Sequence, residues 1–435
     1  MKTKIPGTKS SELMKTAEKY VPKAVYTVTP LFVANAEGSV IEDVDGNRFI
    51  DFATGIASLN VGHRHPKVIE AISNQLDKYL HVCYHVTPYE PYVRLSEKLA
   101  TAAPGQFEKK VVLLNSGAEA VENALKIAMK HTGRPKVIAF QNAFHGRTRA
   151  ALGVTGNVKP YKHGFFPLET GVHRVPYAYC YRCSFGQSYP DCGMRCLQYL
   201  RERLEVSIAP DSVAAIIAEP VIGEGGFIVP PKEFLTGLRE ICDEHQILFI
   251  ADEIQSGMGR TGRIFAIEHY DVVPDLITVA KSLGGGLPIS GVVGKAEYLD
   301  SVHVGGLGGT FIGNPLSCVA GLAAMDAIHD SLEHGNMLAE ILASRMDEWY
   351  EKYEVVGDVR GLGLMRAVEL VKDRTTKEPA KEETARLLKM CHEKGLILLS
   401  TGPYKNVIRF LPAINMDEDL FEKALQVFES CLAAL

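Results

Sequence analysis

The sequence predicts an α/β protein built on a mostly parallel sheet with helices on both faces. Three observations lead there. From roughly residue 65 to 315, short apolar runs alternate with helix-period segments, at 111–115, 136–140, 214–218, 247–251, 276–280 and 290–294. That alternation is the pattern of βαβ units. The runs at 247–251 and 276–280 are continuously apolar, as strands buried on both faces must be. Each also ends abruptly in polar residues, the first in Asp252-Glu253-Ile254-Gln255 and the second in Lys281, with Gly284, Gly285 and Gly286 close behind. In open α/β sheets, ligands bind at the carboxyl ends of the strands.

Around this segment lies a second, smaller α+β domain contributed by both ends of the chain. Residues 1–60 form its leading part, with an alternating stretch from Val40 to Phe52 broken by the turn Asp45-Gly46-Asn47, a hairpin pattern. Residues 61–325 form the large domain. Residues 326–435 complete the small one: a long helical pattern after about 330, strand-like pieces near 364–370, 396–400 and 407–410, and a final amphipathic helix over 418–432.

The 435 residues carry a net charge of −5, which gives no electrostatic footprint for nucleic acid. The amino terminus lacks the apolar stretch of a signal peptide, and no apolar segment approaches a membrane span. Nine cysteines in a leaderless chain fit reduced thiols or metal ligands rather than a disulfide framework. A cytoplasmic protein is the expectation.

A lysine and an aspartate delivered to one sheet edge by two strands are what pyridoxal 5'-phosphate (PLP) chemistry requires. Lys281 would attach the cofactor, and Asp252 would keep the pyridine nitrogen protonated so that the ring withdraws electrons. After the run at 111–115, Ser116 and Glu119 fit a capping box that opens a helix reaching about Lys130. Gly117 and Ala118 in its first turn would let backbone N–H groups approach a phosphate. Phe144, after the run at 136–140, offers a ring face for stacking, with His145 beside it. Arg147 suits a substrate carboxylate. Glu219 ends another apolar run and needs a partner if buried; Arg409, in the late strand-like piece, is the cation proposed for it. His63 and His65, beside Pro66, read as a turn rather than a metal site. Cys180, Cys183, Cys192 and Cys196 fall within the loop 180–196. Their CxxC and CxxxC spacing would serve a structural zinc or an iron–sulfur cluster, the plainer reading being a reduced loop.

Across essentially the whole chain these residues resemble the class III (subgroup II) PLP-dependent aminotransferases. The likeness is carried by Asn115-Ser116-Gly117-Ala118-Glu119-Ala120, Phe144-His145-Gly146-Arg147, Asp252-Glu253-Ile254-Gln255, Ala280-Lys281-Ser282 and Gly309-Thr310-Phe311-Ile312-Gly313-Asn314-Pro315. Residues 55–60, 305–310 and 395–404 are similar to those of the 4-aminobutyrate-type members. The resemblance implies the PLP transferase fold type I. It also implies an amino group moved from 4-aminobutyrate or a similar ω-amino acid to 2-oxoglutarate, giving an aldehyde (succinate semialdehyde) and L-glutamate. By that resemblance Gln255 contacts the cofactor ring hydroxyl, and Gly117 and Ala118 hold the phosphate. Ile56 lines the substrate pocket, Arg147 binds the distal carboxylate, and Arg409, gated by Glu219, binds the α-carboxylate. Thr310 reaches the phosphate of a neighbouring subunit, implying a homodimer or dimer of dimers with shared sites. Phe144 departs from the tyrosine that relatives often carry. Racemases or epimerases and ornithine- or diamine-type ω-aminotransferases share the cofactor motifs, and remain the alternatives.

Overall fold

The computed structural model describes residues 1–165 and 171–435. The chain divides into two compact units, one of Pro66–Asp330 and one of Met1–His65 with Ser331–Leu435.

The larger unit holds a seven-stranded sheet. In chain order its strands are β1 (Lys109–Leu114), β2 (Lys136–Phe140), β3 (Val172–Val175), β4 (Val213–Ala218), β5 (Leu248–Asp252), β6 (Leu276–Val279) and β7 (Ser290–Lys295). Their spatial order is β1-β7-β6-β5-β4-β2-β3. All pairs are parallel except those of β7, which runs antiparallel to both β6 and β1. The first six strands therefore point one way, and their carboxyl ends share one edge. Every residue of β4, β5 and β6 is buried, which is why these strands read as unbroken apolar runs. Strand β3 escaped the sequence reading because Val172–Val175 is short, lies at the sheet margin and carries His173 and Arg174.

The smaller unit pairs Val33–Glu37, Val40–Asp43 and Arg48–Asp51 with Leu396–Ile397, the last in parallel register with Arg48–Asp51. Both ends of the chain thus build one sheet. The hairpin turn is held by Asp43 Oδ1, which accepts the N–H groups of Asp45 at 3.0 Å and Asn47 at 2.8 Å. A second sheet joins Val356–Leu362, Met365–Asp373, Val407–Phe410 and Leu399–Thr401. Trp349, fully buried, lies with its ring centre 4.6 Å from that of Phe428 and 6.0 Å from that of Phe410. The long helix expected after about 330 starts earlier, at Pro315, and runs to Lys352. Asn314 begins it, its Oδ1 accepting the Leu316 N–H at 3.0 Å, and proline suits the first helical position. Among the described residues no helix is long and apolar enough to cross a membrane.

Candidate active site

Parallel pairing of β4, β5 and β6 brings Glu219, Asp252 and Lys281 to the same edge of the larger unit. Ala218 lies opposite Ala251, and Asp252 opposite Thr278. Just past β6, Lys281 has φ +51°. That left-handed conformation is costly for a residue with a Cβ and tends to persist where function requires it.

Asp252 is buried and fully engaged. Its Oδ2 lies 2.6 Å from His145 Nδ1, and its Oδ1 accepts the Thr278 hydroxyl at 2.9 Å and the Ile254 N–H at 3.2 Å. For His145, burial works to lower the pKa, but the hydrogen bond and charge of Asp252 outweigh it and the net direction is up. Among the described residues, two buried polar atoms here have no hydrogen-bond partner: His145 Nε2 and Gln255 Oε1. Buried polar atoms are rarely left so, and an unpaired acceptor on Gln255 fits a ligand hydroxyl. Gly223 makes room for that side chain, since a Cβ there would sit 2.1 Å from Gln255 Oε1.

The phosphate end is built at the helix Gly117–Thr132. Ser116 caps it, its Oγ accepting the Glu119 N–H at 3.3 Å. Glu119 does not close the expected box on Ser116. Its Oε2 instead takes the N–H of Asn115, one residue earlier, at 2.8 Å. The Gly117 and Ala118 N–H groups, which a helix cannot satisfy internally, are left for an anion, and the helix dipole favours one there. Gly146, at φ +132°, brings the Phe144–Arg147 loop against this turn, where a Cβ would lie 2.8 Å from that of Ala118. The orphaned Gln255 acceptor, the Asp252 carboxylate and the N–H cup fit a cofactor with a hydroxyl, a basic ring nitrogen and a phosphate.

Two main-chain N–H groups bond Glu219. Phe144 N–H reaches its Oε1 and Gly223 N–H its Oε2, each at 2.8 Å. Burial pushes its pKa up to about 7; the charge of His145 acts to lower it and that of Asp252 to raise it. Arg409 belongs to the smaller unit, buried in Val407–Phe410 opposite Ala367 and Leu399. Ile56, in the same unit, is exposed on a turn whose residues Thr54, Gly55, Ile56 and Ala57 all have positive φ. For a β-branched residue that is a genuine outlier. Thr310 lies in an exposed loop of the larger unit. Arg147 is exposed, and among the described residues no carboxylate pairs with it. Two contributors escaped the sequence reading: Thr278 and Gly223. For Thr278 there was a signal, a polar residue inside an otherwise apolar strand.

The metal reading of Cys180, Cys183, Cys192 and Cys196 is corrected. All four line one small cavity and are free thiols. Among the described residues, however, no three Cys, His, Asp or Glu side chains stand where they could hold a metal ion. Cys180 starts a short helical turn, whereas Cys196 lies in the helix Arg195–Val206, so sequence proximity does not become ligand geometry.

The family model for class-III aminotransferases matches residues 21–432. The chain belongs to that family. It is 45% identical to a probable 4-aminobutyrate aminotransferase of Bacillus subtilis, with 96% of each chain covered. It is 46% identical to the 5-aminovalerate aminotransferase DavT of Pseudomonas aeruginosa, over 98% of this chain and 99% of that protein. Among solved structures, the taurine:2-oxoglutarate aminotransferase of Bifidobacterium kashiwanohense, in complex with PLP and glutamate, superimposes with a TM-score of 0.91 at 29% identity, 98% of each chain being covered. This class III aminotransferase is a PLP-dependent transaminase of fold type I.

Proposed function

We propose that the enzyme takes its amino group from 4-aminobutyrate or a near relative such as 5-aminovalerate and gives it to 2-oxoglutarate, in two half-reactions. The products would be an aldehyde, succinate semialdehyde from 4-aminobutyrate, and L-glutamate. Arg147 carries the reading: an exposed guanidinium, unpaired with any carboxylate of the described residues, three positions from Phe144 and two from His145. An ω-amino acid presents a carboxylate remote from its amine, and a planar guanidinium binds one by two parallel hydrogen bonds. The names of the relatives from Bacillus subtilis and Pseudomonas aeruginosa support such a donor.

When bound, the cofactor supplies electron withdrawal from the substrate carbon that exchanges its proton. Lys281 Nζ would anchor it and then carry that proton. Asp252, steadied by His145 and Thr278, would hold the proton on the ring nitrogen; Gln255 would bind the ring hydroxyl; Ser116, Gly117 and Ala118 the phosphate; and Phe144 would cover one ring face. Arg409 would take the α-carboxylate of glutamate, with Glu219 cancelling its charge while an ω-amino donor is bound.

The same reading includes a homodimer, or a dimer of dimers, working in the cytoplasm. Leu80, Val82, Val86, Val304 and Phe311 are exposed apolar side chains around Thr310, and the Phe311 ring lies 4.6 Å from that of His81. An exposed apolar set of this kind marks a contact surface. The test is a panel of amino donors with 2-oxoglutarate, scored for glutamate. Strong 4-aminobutyrate or 5-aminovalerate activity is expected. Racemisation of a single L-amino acid without any keto acid would overturn the transferase reading in favour of an isomerase, and exclusive use of ornithine or diamines would replace the donor class.

A further inference from the structure

We propose that Tyr161 positions Arg147 for the substrate carboxylate, an inference that rests on the carboxylate-binding role given to Arg147 above. The Tyr161 ring lies under the guanidinium, with Arg147 Cζ 5.1 Å from the ring centre. Its other neighbour is Phe144, with ring centres 4.8 Å apart at 53°. The hydroxyl reaches Glu224 Oε2 at 3.4 Å. One side chain therefore joins the ring set to cover the cofactor, the cation set to bind the substrate, and a carboxylate of the loop that follows β4.

The turns over residues 157–165 that carry Tyr161 are tied down from beneath. Gly156 N–H donates to the Ala143 carbonyl at 2.7 Å, returning the chain to the Phe144 loop. Lys162 is buried and its ammonium donates to the Thr155 carbonyl. Thr155 in turn accepts the His145 N–H at 3.0 Å on its hydroxyl. The strap and the His145 loop are thereby one hydrogen-bonded assembly, and Tyr161 is fixed at its outer end.

An exposed arginine samples many rotamers, and binding a carboxylate costs that freedom. A ring face beneath the guanidinium narrows the set without using its N–H groups, because a cation–π contact engages the flat face and leaves the donor edge open. A carboxylate partner in the same place would neutralise the cation. The ring orients it and leaves its charge available.

The test measures the donor half-reaction of the holoenzyme by cofactor absorbance, with 4-aminobutyrate and with n-butylamine, which lacks a carboxylate. In Tyr161→Leu the KM for 4-aminobutyrate should rise about 10-fold with kcat little changed, as loss of one partly exposed cation–π contact implies. The n-butylamine half-reaction should not move, and Tyr161→Phe, which keeps the ring, should recover most of the loss. Arg147→Ala, run in parallel, should raise KM for 4-aminobutyrate further. If Arg147→Ala raises KM but Tyr161→Leu does not, the positioning role is overturned and the reading of Arg147 stands. If Arg147→Ala leaves KM unchanged, that reading fails and this inference with it. Equal losses for both donors in Tyr161→Leu, or no rescue in Tyr161→Phe, would mark a structural residue and also overturn the proposal.

Discussion

At the strand edge, Asp252 is gripped from two sides by His145 and Thr278. In the loop over residues 180–196, four cysteines line one cavity, and Cys183 accepts the Phe185 N–H of its own loop at 3.4 Å. Both regions are dense in reactive side chains over a short span of sequence. The difference lies in what aims them. Parallel strands deliver their terminal residues to one edge, so Glu219, Asp252 and Lys281, far apart in sequence, meet by construction. The loop gathers its cysteines around one cavity, but among the described residues no three ligand side chains stand where they could hold a metal ion. Ligand count can be read from spacing; convergence needs a scaffold.

The largest effect expected is at the strand edge itself. Lys281→Ala should cut turnover by at least about 10³-fold while the protein stays folded, since a catalytic group removed outright typically costs that much. Steady-state glutamate formation and the loss of the cofactor's characteristic visible absorbance are the measurements. Substantial residual turnover would mean another lysine does the work.

Asp252→Asn comes next. An amide cannot stabilise a protonated ring nitrogen as a carboxylate does, so both half-reactions should slow by roughly 10²-fold or more, with cofactor still bound. Single-turnover rates with 4-aminobutyrate and with glutamate would show it, and near-normal rates in both directions would remove Asp252 from its assigned role.

Glu253, next in the chain, sharpens the contrast from within. It is as buried as Asp252, but it serves the fold: Oε2 accepts the Ser256 hydroxyl and Oε1 the Ile267 N–H, each at 2.7 Å. Burial pushes its pKa up to about 7. The folded state therefore keeps a proton that the unfolded chain releases, and stability should fall as pH rises from about 4.5 to 7, then level off. Glu219, shifted in the same direction, adds to that slope. Urea unfolding of the apoenzyme at pH 5 and pH 8 should show Glu253→Gln losing part of the difference, on the order of 1–3 kcal/mol. An unchanged slope would show that Glu253 is ionised throughout.

The smallest effect is expected in the cysteine loop. Cys180→Ser with Cys183→Ser should leave stability within about 1 kcal/mol, as is usual for substitutions outside the packed core. A loss of 3 kcal/mol or more, together with stoichiometric zinc or iron in the wild-type protein, would make this loop the metal site its spacing resembles.

The sequence made the strand edge legible because burial on both faces leaves an unambiguous run, and because a polar residue ending such a run must point to the edge. The helix over 418–432 was equally plain from its period, and in the structure Asp417 caps it, its Oδ1 accepting the Leu420 N–H at 3.0 Å. What stayed hidden depended on contacts between distant segments. Two backbone N–H groups bond Glu219, and main-chain donors have no sequence signature. Tyr161 sits among turns with no periodicity, and nothing local ties it to Arg147. The long helix starts where Asn314 and Pro315 serve as cap and first turn, a signal masked by the glycine-rich stretch around them.

We propose that Asp252, held by His145 and Thr278, would bind the ring nitrogen of the cofactor. Nitrogen-15 NMR of the holoenzyme carrying ring-labelled PLP measures that directly. The account predicts a protonated ring nitrogen at pH 8 in the wild-type enzyme and loss of that proton in Asp252→Asn. A ring nitrogen that stays protonated in the variant, or is unprotonated in the wild type, would contradict it.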